Sequence, residues 1–234
     1  STWVPYGGTS LTSGQRVFWQ VRYWNQAGNV SDWSEVNTIE MGLLKNSDWK
    51  GDWIGLDTAK DSIRGTNNVI IHTPQYLRKG FKLDGKVAYA RLHITAKGVF
   101  DVHINGEDIS DDVMSPGWTP YAKRIETLTY DVTDFVKSGK NTLAASLASG
   151  WYAGRLGWSK TRFGDADAPK ILAQLEIEFS DGSSKTVVSD NTWKATTNGP
   201  IRFAEIYDGE VYNANFELPN WTTNNFDDTN WEKV

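Results

Sequence analysis

Three histidines, 29 acidic residues and no cysteine are the raw material for chemistry in this 234-residue chain. His72, His93 and His103 stand singly, without the spacing that puts two imidazoles on one metal. No strand–Gly-x-Ser-x-Gly–helix context holds a nucleophile, and no glycine-rich phosphate loop opens a helix. Cleaving a glycosidic bond takes two carboxylates about 5 to 10 Å apart, but among so many acids the sequence selects no pair. Lack of cysteine rules out disulfides and thiolate metal sites. What remains is contact chemistry. The chain holds 12 Trp, 9 Tyr and 9 Phe, rings that fill a β-rich core or stack on the apolar face of a sugar.

Two segments combine such rings with glycine and a few polar groups outside any core periodicity. The first is Asp111-Asp112-Val113-Met114-Ser115-Pro116-Gly117-Trp118-Thr119-Pro120-Tyr121, the second Ser149-Gly150-Trp151-Tyr152-Ala153-Gly154-Arg155-Leu156-Gly157-Trp158. Glycine lets backbone approach a partner closely, and Arg155 can fork onto hydroxyls or a carboxylate. Trp118, Tyr121, Trp151, Tyr152 and Arg155 are therefore the candidate contact residues. Their partner is either a sugar or a neighbouring domain, and packing inside the same domain is the plainer alternative. Asp111 with Asp112, and Asp165 with Asp167, are oxygen sources for calcium. Neither pair has EF-hand spacing, and solvated loop acids account for both.

The elements that must hold these segments are strands. Ile171, Ala173, Leu175, Ile177 and Phe179 alternate with polar neighbours, Asp181-Gly182 turns the chain, and Thr186-Val187-Val188 returns as a partner. Leu92, Ile94 and Ala96 continue past Gly98 into Phe100, Val102 and Ile104, ending at Asn105-Gly106, a strong hairpin signal. His93 and His103 fall on the phase opposite the apolar set. Further strands follow at Leu128–Val132 and Leu143–Leu147, with a short helical turn over 131–136 between them. Many short strands and no sustained helical period predict an all-β sandwich or jelly roll.

A boundary falls near residue 45. Before it, Val17, Trp19, Val21 and Tyr23 alternate, Asn25–Asn29 turns, and Val36–Met41 returns. This predicts the closing hairpin of a fibronectin type III-like or immunoglobulin-like module over 1–45, followed by a larger domain over 46–234. Asp/Asn clusters precede Trp at both Ser189–Trp193 and Asn224–Trp231. Shared turn chemistry explains this better than an internal repeat. Glu232-Lys233-Val234 reads as the edge of something cut.

Net charge is −5 without a basic patch or run, which argues against nucleic acid as a partner. No apolar run is long enough to span a bilayer, so no membrane partner is expected. Ser1–Pro5 carries no signal-peptide pattern, and the compartment stays open between cytoplasm and export.

One ordered series of motifs resembles a known family. It runs through Trp49…Trp53-Ile54-Gly55, Tyr76–Phe81, Ala90–Gly98, Ile104-Asn105-Gly106 and Pro116-Gly117-Trp118-Thr119. It continues through Tyr130-Asp131-Val132-Thr133, Gly150–Gly157, Gly199-Pro200-Ile201 and Tyr207–Ala214. Together they look like the N-terminal domain of bacterial α-L-rhamnosidases. The resemblance implies a β-jelly-roll module that precedes a β-sandwich and a helical toroid, the toroid carrying the acid and base of an inverting hydrolysis of terminal α-L-rhamnosides. It further implies a non-catalytic role here, assisting substrate recognition or domain packing, with a rhamnose-containing glycoside and the remaining domains as partners. No cofactor is required under this reading. Related modules bind rhamnose with calcium, so an autonomous calcium-assisted binding module and a purely structural scaffold are the alternatives. Two departures remove a carboxylate: Ser149 stands where the family usually has Asp, and Asn213 where Asp usually follows Glu-x-Tyr.

Overall fold

The computed structural model describes residues 5–57, 63–64, 70–155 and 167–234. It divides into two compact units, Ser1–Trp49 and Lys50–Val234.

In the first unit β1 (Arg16–Trp19) pairs antiparallel with β2 (Asn37–Glu40). The predicted turn forms because Asn25 Oδ1 accepts the N–H groups of Ala27 and Asn29 at 3.0 and 2.9 Å. Past the turn, serine hydroxyls stand in for ladder carbonyls: Ser31 Oγ accepts from Tyr23 N and Ser34 Oγ from Val21 N. The Arg22 guanidinium lies over Trp24 and Trp33, 5.0 and 4.5 Å from the ring centres. Phe18, Tyr23, Trp24 and Trp33 are exposed.

The second unit begins with β3 (Ile63–Arg64) and β4 (Ile70–Ile71), which pair with each other. Then follow β5 (Gln75–Leu83), β6 (Val87–Lys97), β7 (Val99–Ile104), β8 (Glu107–Asp108), β9 (Leu128–Asp131) and β10 (Gly139–Ala148). After the one-turn helix α1 (Gly150–Ala153) come β11 (Lys170–Phe179), β12 (Ser184–Val188), β13 (Lys194–Thr196), β14 (Ile201–Glu205), β15 (Gly209–Tyr212) and β16 (Glu232–Lys233). A six-stranded sheet, ordered β16-β13-β5-β10-β7-β8, faces a four-stranded one, β12-β11-β6-β9. The two leave a β14–β15 hairpin beside them. No helix among the described residues is long and apolar enough to cross a membrane.

Much of the core is where period-two alternation put it, and β5 adds Leu77 and Leu83, which no alternation had marked. Leu92, Ile94, Ala96, Ile171, Ala173, Leu175 and Ile177 are buried from the four-stranded sheet. Leu77, Leu83, Val102, Ile104, Leu143, Ala145 and Leu147 are buried from the six-stranded one. Burying a side chain of this size stabilises the fold by about 1.5–3 kcal/mol. Both predicted turns form. Asn105 and Gly106 take φ of 55° and 93°, and Gly182 takes 82°. Asp181 Oδ1 accepts from Ser183 N at 2.9 Å to close the second turn. Residues 131–136 make the expected turn, with Val132 and Val136 in the core.

His93 lies on the sheet face as its phase requires, but it is buried, with Nδ1 2.9 Å from Thr129 Oγ1. The outer face of the six-stranded sheet is covered as well. Trp221 packs edge-on against Tyr76 and His103 at 5.2 and 5.9 Å. Arg78, 4% exposed, donates to the carbonyls of Trp221 and Thr223 at 2.9 and 2.7 Å and pairs with Asp228. The two Asx–Trp clusters share one geometry: Asp190 Oδ1 accepts from Thr192 N, Asp227 Oδ1 from Thr229 N. Each then leads into a strand, and those strands, β13 and β16, pair with each other. Glu232-Lys233 is thus an integral edge strand, and Val234 packs against the core.

Candidate functional site

Both aromatic segments are anchored at the β6–β7 corner. The first is tied down where Phe100 N donates to Ser115 O at 2.9 Å. It then turns through Met114 and Gly117, at φ of 57° and 96°. The second leaves β10 through Gly150, whose φ is +50° and whose imagined Cβ would lie 2.6 Å from Val99 Cγ1. Only glycine allows this approach.

Tyr121 meets Tyr152 edge-to-face with ring centres 5.2 Å apart, so the two segments join through a pair of rings. Tyr121 is half-buried and burial pushes its hydroxyl up to about 12. Tyr152 is raised in the same direction, by burial first and then by the charge of Asp167. The Lys97 ammonium sits between Trp53 and Tyr152, 5.1 and 6.0 Å from their ring centres, a range in which a cation is attracted to an aromatic face. Trp118 projects from the same loop as Tyr121 and is 55% exposed. Trp151 is half-buried.

Arg155 forks as its chemistry suggested, onto a carboxylate of its own chain. Nη2 and Nε reach Asp208 at 2.7 and 3.3 Å, and the guanidinium lies 5.0 Å from the centre of the Tyr207 ring. Beneath it, buried Glu205 accepts the backbone N–H groups of Arg155 at 2.7 Å, Tyr207 at 2.8 Å and Asp208 at 3.2 Å. Glu205 and Asp208 thus lock the second segment to the β14–β15 hairpin. Sequence reasoning missed both. The Tyr207-Asp208-Gly209 turn could have flagged Asp208, but nothing local marks Glu205. Leu156, Gly157, Trp158 and Asp165 lie outside the described residues.

Beside the first segment opens a cleft of about 300 Å³, lined among others by Asp101, His103, Asp108, Asp111, Asp112 and Tyr130. Its groups are largely engaged with one another. Tyr130 donates to Asp112 at 2.9 Å, and His103 pairs with Asp108 at 2.5 Å. Among the described residues no three His, Asp or Glu side chains gather as a metal site would require. On the other flank a groove of about 210 Å³ runs between Met114 and the hairpin residues Ile201, Ala204 and Glu210. Ser149, at the position where the resemblance puts Asp, is fully buried, and its Oγ has no hydrogen-bond partner among the described residues.

Comparison with known proteins places this architecture. The α-L-rhamnosidase N-terminal domain matches residues 85–234. The Rha78A-like, N-terminal immunoglobulin domain matches residues 1–45. An α-L-rhamnosidase of Formosa agariphila is 61% identical over all of this chain, and one of an Alteromonas species 47% identical. In each case the match covers 25% of the relative, so the chain spans about a quarter of the length of these proteins. The crystal structure of native α-L-rhamnosidase from Aspergillus terreus superposes with a TM-score of 0.87 at 38% identity, over 98% of this chain and 26% of that one. The motif series, the sandwich and these matches agree: the chain belongs to the α-L-rhamnosidase N-terminal domain family, with an immunoglobulin-like segment ahead of it.

Proposed function

We propose that this region is the non-catalytic N-terminal part of an α-L-rhamnosidase and that its paired aromatic loops assist placement of a rhamnose-bearing glycoside. The observation that carries this is the exposed Trp118 on the loop whose Tyr121 packs against Tyr152. An exposed indole extends from a loop whose base is fixed by the Tyr121–Tyr152 contact. A ring held by rigid elements stacks on a sugar at lower entropic cost than one on a mobile loop. Trp151 adds half-buried aromatic area, and Arg155 acts through its lock on Asp208 by holding the second loop in place. Under this reading the acid and base of hydrolysis belong to other domains of the longer protein.

A second reading, domain packing, is favoured by the apolar tip of the first segment. Val113 is 83% exposed and Met114 51%, beside the groove that reaches Ile201 and Ala204. Exposed apolar patches mark interaction surfaces.

Calorimetric titration of the chain with L-rhamnose, with and without calcium, separates the two. Heat that disappears in Trp118→Ala while the melting curve stays unchanged supports sugar placement. No heat at millimolar sugar leaves domain packing. Turnover of an aryl α-L-rhamnoside by the purified 234-residue chain overturns the non-catalytic assignment.

A further inference from the structure

A separate groove lies far along β5 from the aromatic loops. It is lined in part by Gly80, an exposed position in the interior of a nine-residue strand. Glycine there weakens a strand and often marks a place where a ligand comes close. Gly80 has no positive φ, and a Cβ built on it would meet nothing within 4 Å. Neither backbone geometry nor crowding therefore requires glycine.

The groove beside Gly80 measures about 460 Å³ and is open to solvent. Gly80 is opposite Thr142 on β10, while β13 pairs β5 only as far as Arg78, so that edge of β5 is left open beyond that point. Phe81 and Phe226 supply apolar wall. Phe226 is held in place by Arg78, whose guanidinium lies 5.3 Å from its ring centre, and by Trp231 at 5.4 Å. Asn224 supplies amide chemistry at the rim. Of its two donor hydrogens, one goes to Asn105 Oδ1 at 3.0 Å, and its Oδ1 accepts from Thr142 at 2.9 Å.

Charge decides the ligand class. Of the described lining residues Arg78, Lys82 and Lys140 are positive and only Asp228 is negative, and Asp228 is already shared between Arg78 and Lys194. Lys82 is paired with exposed Asp84 at 2.5 Å, and Lys185 Nζ reaches the Lys82 carbonyl at 2.7 Å. Arg78 is buried and spent on Asp228 and two backbone carbonyls. The charge that faces a ligand therefore comes from the rim ammonium groups of Lys140 and of Lys82, the latter shared with Asp84. That positive rim favours anions. An apolar wall, an amide rim and ammonium groups together match a ring with an apolar face, hydroxyls and a carboxylate. We propose that this groove is a binding site for an acidic monosaccharide unit, a hexuronate, distinct from the aromatic loops.

The test is an NMR titration of the 234-residue chain with D-galacturonate, its methyl ester and sodium acetate, in the wild type and two variants. Galacturonate is expected to shift the backbone amides of Gly80, Lys82, Lys140 and Asn224 in a salt-sensitive way, with the ester and acetate giving little. Gly80→Val, which adds a strand-compatible side chain to the groove lining, is expected to abolish those shifts without lowering the melting temperature. Lys140→Glu, on the exposed rim, is expected to weaken binding at least tenfold, and it carries the test alone if the valine variant is unstable. Shifts that survive both variants, equal shifts from acetate, or none with galacturonate overturn the proposal.

Discussion

Glu205 Oε1 accepts the backbone N–H of Arg155 at 2.7 Å, joining a loop and a hairpin fifty residues apart in sequence. Its other oxygen accepts the N–H groups of Tyr207 and Asp208. Glu205→Ala strands three donors at a buried position and is expected to cost about 2–4 kcal/mol. Urea denaturation measures this, and Tyr152 mobility by NMR should rise with it. A loss below half a kcal/mol, in round terms, contradicts the locking role.

Gly150→Ala puts a methyl against Val99 at a positive φ. The expected loss is about 1–3 kcal/mol, read as a drop in the urea midpoint. Loosening should be greatest at the start of α1.

Arg78→Met removes the donor to the Trp221 and Thr223 carbonyls and the partner of Asp228. Breaking a buried pair of this kind costs about 3 kcal/mol. Because Trp221 packs against Tyr76, its fluorescence should shift red as the segment around Trp221 loosens from the sheet.

Trp118→Ala is expected to leave stability within about half a kcal/mol, since an exposed side chain is removed. If the longer protein hydrolyses rhamnosides as proposed and the ring assists placement, the variant in that protein should raise KM for a rhamnoside several-fold at constant kcat. Unchanged KM counts against that role.

Acid should destabilise the fold. Burial by itself would raise the Asp131 carboxyl, but hydrogen bonds from Thr133 and the charge of Arg91 outweigh it and hold the group below 3.8. At Asp190 the same balance is struck with Thr192 and Lys79. A folded value below the unfolded one gives stability that is present above the unfolded value and lost as pH falls through the folded one. Urea midpoints should therefore drop from about pH 4 downward. The Asp131→Asn, Asp190→Asn double variant keeps each turn's acceptor oxygen and should flatten that slope.

The sequence by itself determined the strands that alternate, their buried faces and the tight turns, because alternation and positive-φ residues are local properties. Leu92–Ile104 and Ile171–Val188 show this, as does the paired Asx–Trp turn chemistry. The two aromatic segments were legible for the same reason, as rings and glycines outside any period, while β5 and the β14–β15 hairpin went unmarked. Only the tertiary structure decided what those rings and charges touch. It brought Tyr121 to Tyr152, turned Arg155 onto Asp208, buried His93 on a sheet face and gave Glu205 three backbone donors. A carboxylate's partner across fifty residues is set by chain closure and packing, which leave no periodic trace in the residues themselves.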